Sequence, residues 1–416
     1  MRISLRILAS AAALLLTLAL PAQVKVKDPA KHGMDPERLA RLDEVIEECI
    51  AEGNIPGAVI SVVRGNSIVY LKAYGNKSLV PEVEPMTTET IFDLASLSKC
   101  VGTTLGIMKL LEGGYIRLTD PVNKYIPEFQ PWTDPDTGEK VDIIIRDLMT
   151  HASGLDAYYD AGKFVQRFGT NQPDSLMRVI ATEAGRNFRP GTRFLYSCLN
   201  FITLQNILQR VTGERLCDYV QTNIFDAMEL KHTCYFPLAE DMRTPLGHSD
   251  LLPLVAPTAV QADGKPLLGA VHDPLARLGG GGNSGNAGVF SDAVDLSRIC
   301  MMIMDGGRYG KRQILSPAAV NLMCTVPPEN DPSVGRALGW DKNSEHSSPR
   351  GDFFSPETTL VHTGYTGTTL LIDTRSRTAI VLLTNRVHPT DDGLVGPLRS
   401  KVANIVASSL LWNYWN

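Results

Sequence analysis

Apolar positions change their period several times along the chain, and each change predicts an element. From Asp35 to Glu52, Leu39, Leu42, Val45, Ile46 and Cys49 fall on one helical face, and Pro56-Gly57 ends the run. Ala58-Val59-Ile60-Ser61-Val62-Val63 and Ser67-Ile68-Val69-Tyr70-Leu71 then flank Arg64-Gly65-Asn66, which predicts a hairpin. Helical spacing returns at Leu97, Val101, Leu105 and Met108 and stops at Gly113-Gly114. Asp93 is the expected N-cap of that helix, which would put Ser96 in its first turn.

Residues 130–140, with Pro131, Asp134-Pro135-Asp136 and Gly138, read as an exposed excursion. Helical patterns follow from Asp174 to Ala184 and from Leu199 to Thr212, and residues 236–290 are loop-rich. A helix from Ala293 to Met304 and a shorter one near Ala318 precede a second hairpin. Its strands are Thr368-Thr369-Leu370-Leu371-Ile372 and Ala379-Ile380-Val381-Leu382-Leu383. A terminal helix runs from about Leu398 to Leu411. The fold class this implies is α/β in the α+β sense: an antiparallel sheet flanked by helices, with an inserted, mainly helical sub-domain. The expected division is an α/β sub-domain of residues 30–95 plus 290–416 and a helical sub-domain of residues 96–289.

Composition narrows the functional classes. The 416 residues are 44% hydrophobic with a net charge of −5, so a large core is possible and nucleic acid is not an expected partner. Arg2 and Arg6 precede an apolar run from Ile7 to Leu20, then Pro21-Ala22-Gln23. This reads as a signal peptide over residues 1–22, cleaved after Ala22, and hence a periplasmic or secreted protein. The run is too short for a stable membrane span. Seven dispersed cysteines do not make a disulfide scaffold, and no C-x-x-C or H-E-x-x-H suggests zinc. No metal or organic cofactor is implied.

The candidate chemistry starts at Ser96-Leu97-Ser98-Lys99, the one S-x-x-K in the sequence. Helical spacing puts the Ser96 hydroxyl and the Lys99 amine on one face, and a neutral amine there could take the serine's proton. That requires a Lys99 pKa lowered by desolvation or a nearby cation. Tyr196, in Phe194-Leu195-Tyr196-Ser197-Cys198, sits just before a predicted helix and could relay protons. His362-Thr363-Gly364-Tyr365 opens the second hairpin, where glycine lets a substrate approach the backbone and peptide N–H groups could stabilise an oxyanion.

This set of motifs resembles the serine β-lactamase/penicillin-binding-protein superfamily, in particular its class C β-lactamase-related branch of D-Ala-D-Ala carboxypeptidases and esterases. Leu148-Met149-Thr150-His151-Ala152-Ser153-Gly154-Leu155, Gly288-Val289-Phe290-Ser291 and Leu118-Thr119-Asp120-Pro121 add to the likeness, which spans about residues 35–410. The resemblance implies Ser96 as acylated nucleophile, Lys99 as its proton partner and Tyr196 as general acid/base. It also implies an oxyanion hole from the Ser96 and Tyr365 N–H groups, with His362 and Thr363 binding substrate or steering protons.

Two positions depart from the family pattern. Cys198 replaces the asparagine usual in Tyr-x-Asn, and Asn200 would face elsewhere on the helix. His362 stands where β-lactamases carry lysine, so a partly charged imidazole would hold a carboxylate less firmly. The expected substrate is therefore a D-Ala-D-Ala-type peptide derived from peptidoglycan, ahead of a small-molecule carboxylic ester and of a β-lactam. A non-catalytic sensor on the same fold is the competing class. Gly280-Gly281-Gly282-Asn283-Ser284-Gly285 matches a nucleotide-binding pattern without its strand–helix context and reads instead as a flexible loop at the cleft. His151 and His272 read as loop hydrogen-bonding residues, and Cys198 as a small buried residue.

Overall fold

A computed structural model describes residues 24–411; the signal-peptide expectation for residues 1–22 lies outside them. The central sheet joins the two ends of the chain. Strands β1 (Gly57–Arg64), β2 (Ser67–Ser78) and β3 (Glu84–Pro85) come from one end, and β4 (Thr359–Thr363), β5 (Thr369–Asp373) and β6 (Thr378–Thr384) from the other. The order is β4-β5-β6-β1-β2-β3, and every paired neighbour is antiparallel. The first hairpin carries a bulge between Val62 and Val63.

Every residue of β1 and of β6 is buried, because both faces of the sheet are covered and alternate residues serve different layers. Ala58, Ile60, Val62, Ile380 and Leu382 pack on one face with helices α1 (Pro36–Ala51) and the C-terminal Gly396–Ser409, through Leu39, Leu42, Ile46, Val402 and Val406. Val59, Val63, Val381 and Leu383 face the other way, into the larger core that holds Leu97, Val101, Leu105, Leu204 and Leu208. The Asp35 carboxylate caps α1 by accepting from the Glu37 and Arg38 N–H groups, with Pro36 at the first position.

The helices between the sheet's two halves include α2 (Leu105–Glu112), α3 (Cys198–Thr212) and α4 (Ala293–Met304), the last against β1 and β6. We label the terminal helix Gly396–Ser409 α5. Three features differ from the sequence reading. Residues 130–140 form a small hairpin, Trp132–Thr133 against Lys140–Val141. A short helix, Ala161–Phe168, capped by Asp160, carries its apolar residues at helical spacing (Ala161, Phe164, Val165, Phe168) and is not among the elements predicted above. Asp93 is not a helix cap: it lies in a short strand paired with Phe290, and Lys99–Thr104 is wound as π-helix before α2 begins. Among the described residues no helix is long and apolar enough to cross a membrane, and all seven cysteines are free thiols.

Candidate active site

Ser96 sits on the turn between that short strand and the wide helical segment. Two buried contacts shape the turn: the Asp93 carboxylate accepts from the Ala95 N–H at 2.8 Å and the His272 N–H at 2.6 Å. Ala95 holds a left-handed backbone, φ +46°, unusual for a residue with a Cβ. The conformation persists because the Asp93 contacts and the following turn over-determine it. Burial pushes the Asp93 carboxyl up to about 6, against the pull of those two N–H donors.

The wide helical turn then brings Lys99 under Ser96. Lys99 is fully buried, and its Nζ donates to Ser96 Oγ at 3.0 Å, to the Asn286 carbonyl at 2.9 Å and to Cys198 Sγ at 3.5 Å. Three acceptors match the three donors of an ammonium. Burial pulls the Lys99 pKa down, but the charges Cys198 and Tyr196 carry once ionised pull it up further, and the direction is upward. With those two groups neutral the upward pull is weaker, and it is the three acceptors around Nζ that favour the ammonium. Asn286 reaches Lys99 from the glycine-rich stretch 280–285, whose Gly281, Gly282, Ser284 and Gly285 are buried; it is a packed support for Lys99.

Tyr196 precedes α3 by one residue, Ser197, which occupies the N-cap. Its hydroxyl lies close enough to Ser96 and Lys99 for both to lower its pKa, and Lys99 Nζ lies 5.1 Å from the ring centroid. Burial raises the Tyr196 pKa, with the Lys99 charge pulling it back, so it is a neutral phenol at pH 7. Cys198 likewise stays a thiol: burial raises it and the Lys99 cation only partly compensates. Asn200 faces away, its Oδ1 accepting from Ser153 Oγ at 2.5 Å.

The opposite wall is the turn after β4. Thr366 Oγ1 donates to the Asp93 carbonyl at 2.7 Å and Thr368 Oγ1 to the Leu94 carbonyl at 3.0 Å, so this turn is tied to the segment that carries Ser96. A Cβ on Gly364 would meet Leu94 O at 2.3 Å and Thr368 Oγ1 at 2.1 Å; glycine is what lets the two segments close. Arg399 of α5 braces the turn from behind, donating to the Gly364 carbonyl and Thr369 Oγ1 at 2.9 Å. The Ser96 and Tyr365 peptide N–H groups make no hydrogen bond among the described residues.

His362 is buried, and its Nδ1–H donates to the Thr363 carbonyl at 3.0 Å. Burial, with Arg336 and Lys99 nearby, holds its pKa well below the usual histidine value. The partly charged imidazole expected from the sequence is thus corrected to a neutral one. Six of the seven candidates, Ser96, Tyr196, His362, Thr363, Gly364 and Tyr365, line one cavity of about 340 Å³, with Lys99 beneath it. Arg336, Asp341, His346, Arg386 and Arg399 line it too. Sequence reasoning missed these, and no spacing or motif marks them. Arg336 is buried, paired to Asp341 at 3.0 Å.

Comparison with known proteins places this geometry. The beta-lactamase family model matches residues 42–404. A Salmonella agona protein named "Putative D-alanyl-D-alanine carboxypeptidase" is 31% identical over 406 residues, covering 92% of this chain and 89% of its own length. One of the same name from Salmonella enteritidis is 31% identical over 409 residues, covering 93% and 90%. Among solved structures, the hydrolase EstCE1 superposes with a TM-score of 0.67 at 24% identity, over 89% of this chain and 99% of that one. The octameric penicillin-binding protein homologue from Pyrococcus abyssi gives 0.66 at 22%, over 90% and 78%. At these identities the structures speak to the fold alone.

Proposed function

The chain belongs to the beta-lactamase family, within the superfamily of serine hydrolases that includes the penicillin-binding proteins, and from that premise we propose that it is an exported carboxypeptidase of D-Ala-D-Ala-type peptides working through a Ser96 ester. The observation that carries the substrate class is the charge of the cavity. Three guanidiniums, Arg336, Arg386 and Arg399, line it; Asp341 pairs with the first and Asp391 with the second, each at 3.0 Å, and Arg399 has no carboxylate partner among the described ion pairs. With His362 neutral, these arginines are what can attract a carboxylate next to the scissile bond. Export, to the periplasm or beyond, rests on the pattern of residues 1–22.

The protonation states set the mechanism. Ser96 Oγ attacks the peptide carbonyl, and the oxyanion takes the free N–H groups of Ser96 and Tyr365. Tyr196 relays the proton: it accepts the one from Ser96 while its own passes to the departing nitrogen, so it ends neutral. Lys99, remaining an ammonium, offsets the negative charge that builds on the two oxygens between which the proton moves. Water then attacks the ester, gives a proton to Tyr196, and the Tyr196 proton returns to Ser96 Oγ as the acid leaves.

The test compares two forms of one substrate, a peptide ending in D-Ala-D-Ala with a free carboxylate and the same peptide as its carboxamide. A hydrogen-bonded charge contributes about 1.5–3 kcal/mol, so kcat/KM should fall roughly 10- to 100-fold for the carboxamide. Equal rates, or faster turnover of a neutral p-nitrophenyl ester than of either peptide, would move the assignment to a carboxylesterase.

A further inference from the structure

His151 grips three consecutive residues around Tyr196. Its carbonyl accepts the Leu195 N–H at 3.0 Å. Its ring stacks on the Tyr196 ring, with centroids 4.4 Å apart and planes 30° apart. Its Nδ1 accepts the Ser197 N–H at 3.1 Å and faces Asn200 Nδ2 at 3.2 Å. Serving as acceptor puts the ring proton on Nε2. The far side of the imidazole is fixed by Phe201, 5.1 Å away, and by the edge of Phe194, 6.3 Å away.

The backbone is held as firmly as the ring. His151 has no exposed surface, and its φ is +55°, a left-handed conformation unfavourable for a residue with a Cβ. From that backbone the imidazole reaches across the chain to Tyr196 and Ser197. Asn200 completes the frame: Ser153 Oγ fixes its carbonyl oxygen, which turns its amide towards Nδ1.

We propose that His151 is the positioning residue of the active site: it never touches substrate, and it sets the place and tilt of the Tyr196 ring so that the phenol stays beside the Ser96–Lys99 pair in the cavity. This rests on the reading of Tyr196 as the proton relay. Phenol placement matters because proton relays act only within hydrogen-bond reach, and an error of about 1 Å can cost roughly 100-fold in rate.

Two substitutions separate the two grips, with Tyr196→Phe as reference and p-nitrophenyl acetate as the probe. His151→Asn keeps an oxygen acceptor near Nδ1 and tolerates the left-handed backbone, but removes the stacked ring. His151→Phe keeps a ring and removes the acceptor, leaving the Ser197 N–H and the Asn200 amide without one. The expected result is a kcat loss of about 100-fold in His151→Phe with KM within about twofold, and at least tenfold recovery in His151→Asn. Circular dichroism and melting temperature report whether each variant is folded. A folded His151→Phe and His151→Asn that both turn over at the parent rate, beside an inactive Tyr196→Phe, would overturn the positioning role. So would a loss that matches only the unfolded fraction. A Tyr196→Phe that keeps the parent rate, or a parent with no Ser96-dependent turnover, would remove the relay reading itself.

Discussion

Asp147 shows how burial sets charge in this protein away from the site. Its side chain is almost wholly buried, accepts the Ile144 N–H at 3.0 Å, and has its pKa pushed up to about 6 by desolvation. A carboxyl raised in the folded state stabilises most when protonated. Its contribution is complete below its unfolded value near 4 and is lost as pH rises through about 6. Asp147→Asn keeps an acceptor for Ile144 and cannot titrate. Relative to the parent, it should gain on the order of 3 kcal/mol between pH 4 and pH 7 in urea unfolding; parallel curves would contradict the assignment. The same physics, acting on Lys99, Tyr196 and His362, gives an ammonium, a phenol and a neutral imidazole. None of the three states could be read from residue type, since each depends on burial and on neighbours from other segments, such as Lys99 for Tyr196 and Arg336 for His362.

At the level of elements, the turn between β4 and β5 does what no single motif residue does. Its hydroxyls hold the Asp93–Leu94 backbone, and Arg399 of α5 holds its carbonyls. Gly364→Ala would push the turn away from Leu94 and separate the Tyr365 N–H from Ser96. Overpacking of this kind costs about 1–3 kcal/mol, and the acylation rate should drop at least tenfold with substrate binding less affected. A variant that acylates at the parent rate would show that the Tyr365 N–H is not part of the oxyanion site. The sequence made most elements legible: helix α4 and both hairpins follow directly from apolar periods and turn residues. It did not reveal the π-wound segment Lys99–Thr104, because Leu97, Val101 and Leu105, spaced by four, fit a helix of either width. Ala161–Phe168 was legible in principle, since Ala161, Phe164, Val165 and Phe168 share one helical face, but at eight residues it is too short to stand out from the loops around it.

Across the whole molecule, the sheet closes only when residues 57–85 meet residues 359–384, and the cavity forms only when Ser96, Tyr196 and His362 are brought together by that closure. The motif residues were legible because each sits in a short signature of its own. Arg336, Asn286 and Arg399 were not, because they serve the site from segments with no local pattern, joined to it only by the fold. His151 was legible as a hydrogen-bonding loop residue, though not as the residue that holds Tyr196. Everything proposed here turns on Ser96 being the group that is acylated, with Cys198 an inert thiol 3.5 Å from Lys99. The direct measurement is intact-protein and peptide mass after exposure to a fluorescent penicillin, parent against Ser96→Ala. The account predicts one adduct, mapped to Ser96 and absent from the variant. An adduct of equal extent in Ser96→Ala, or one mapped to Cys198, would contradict it.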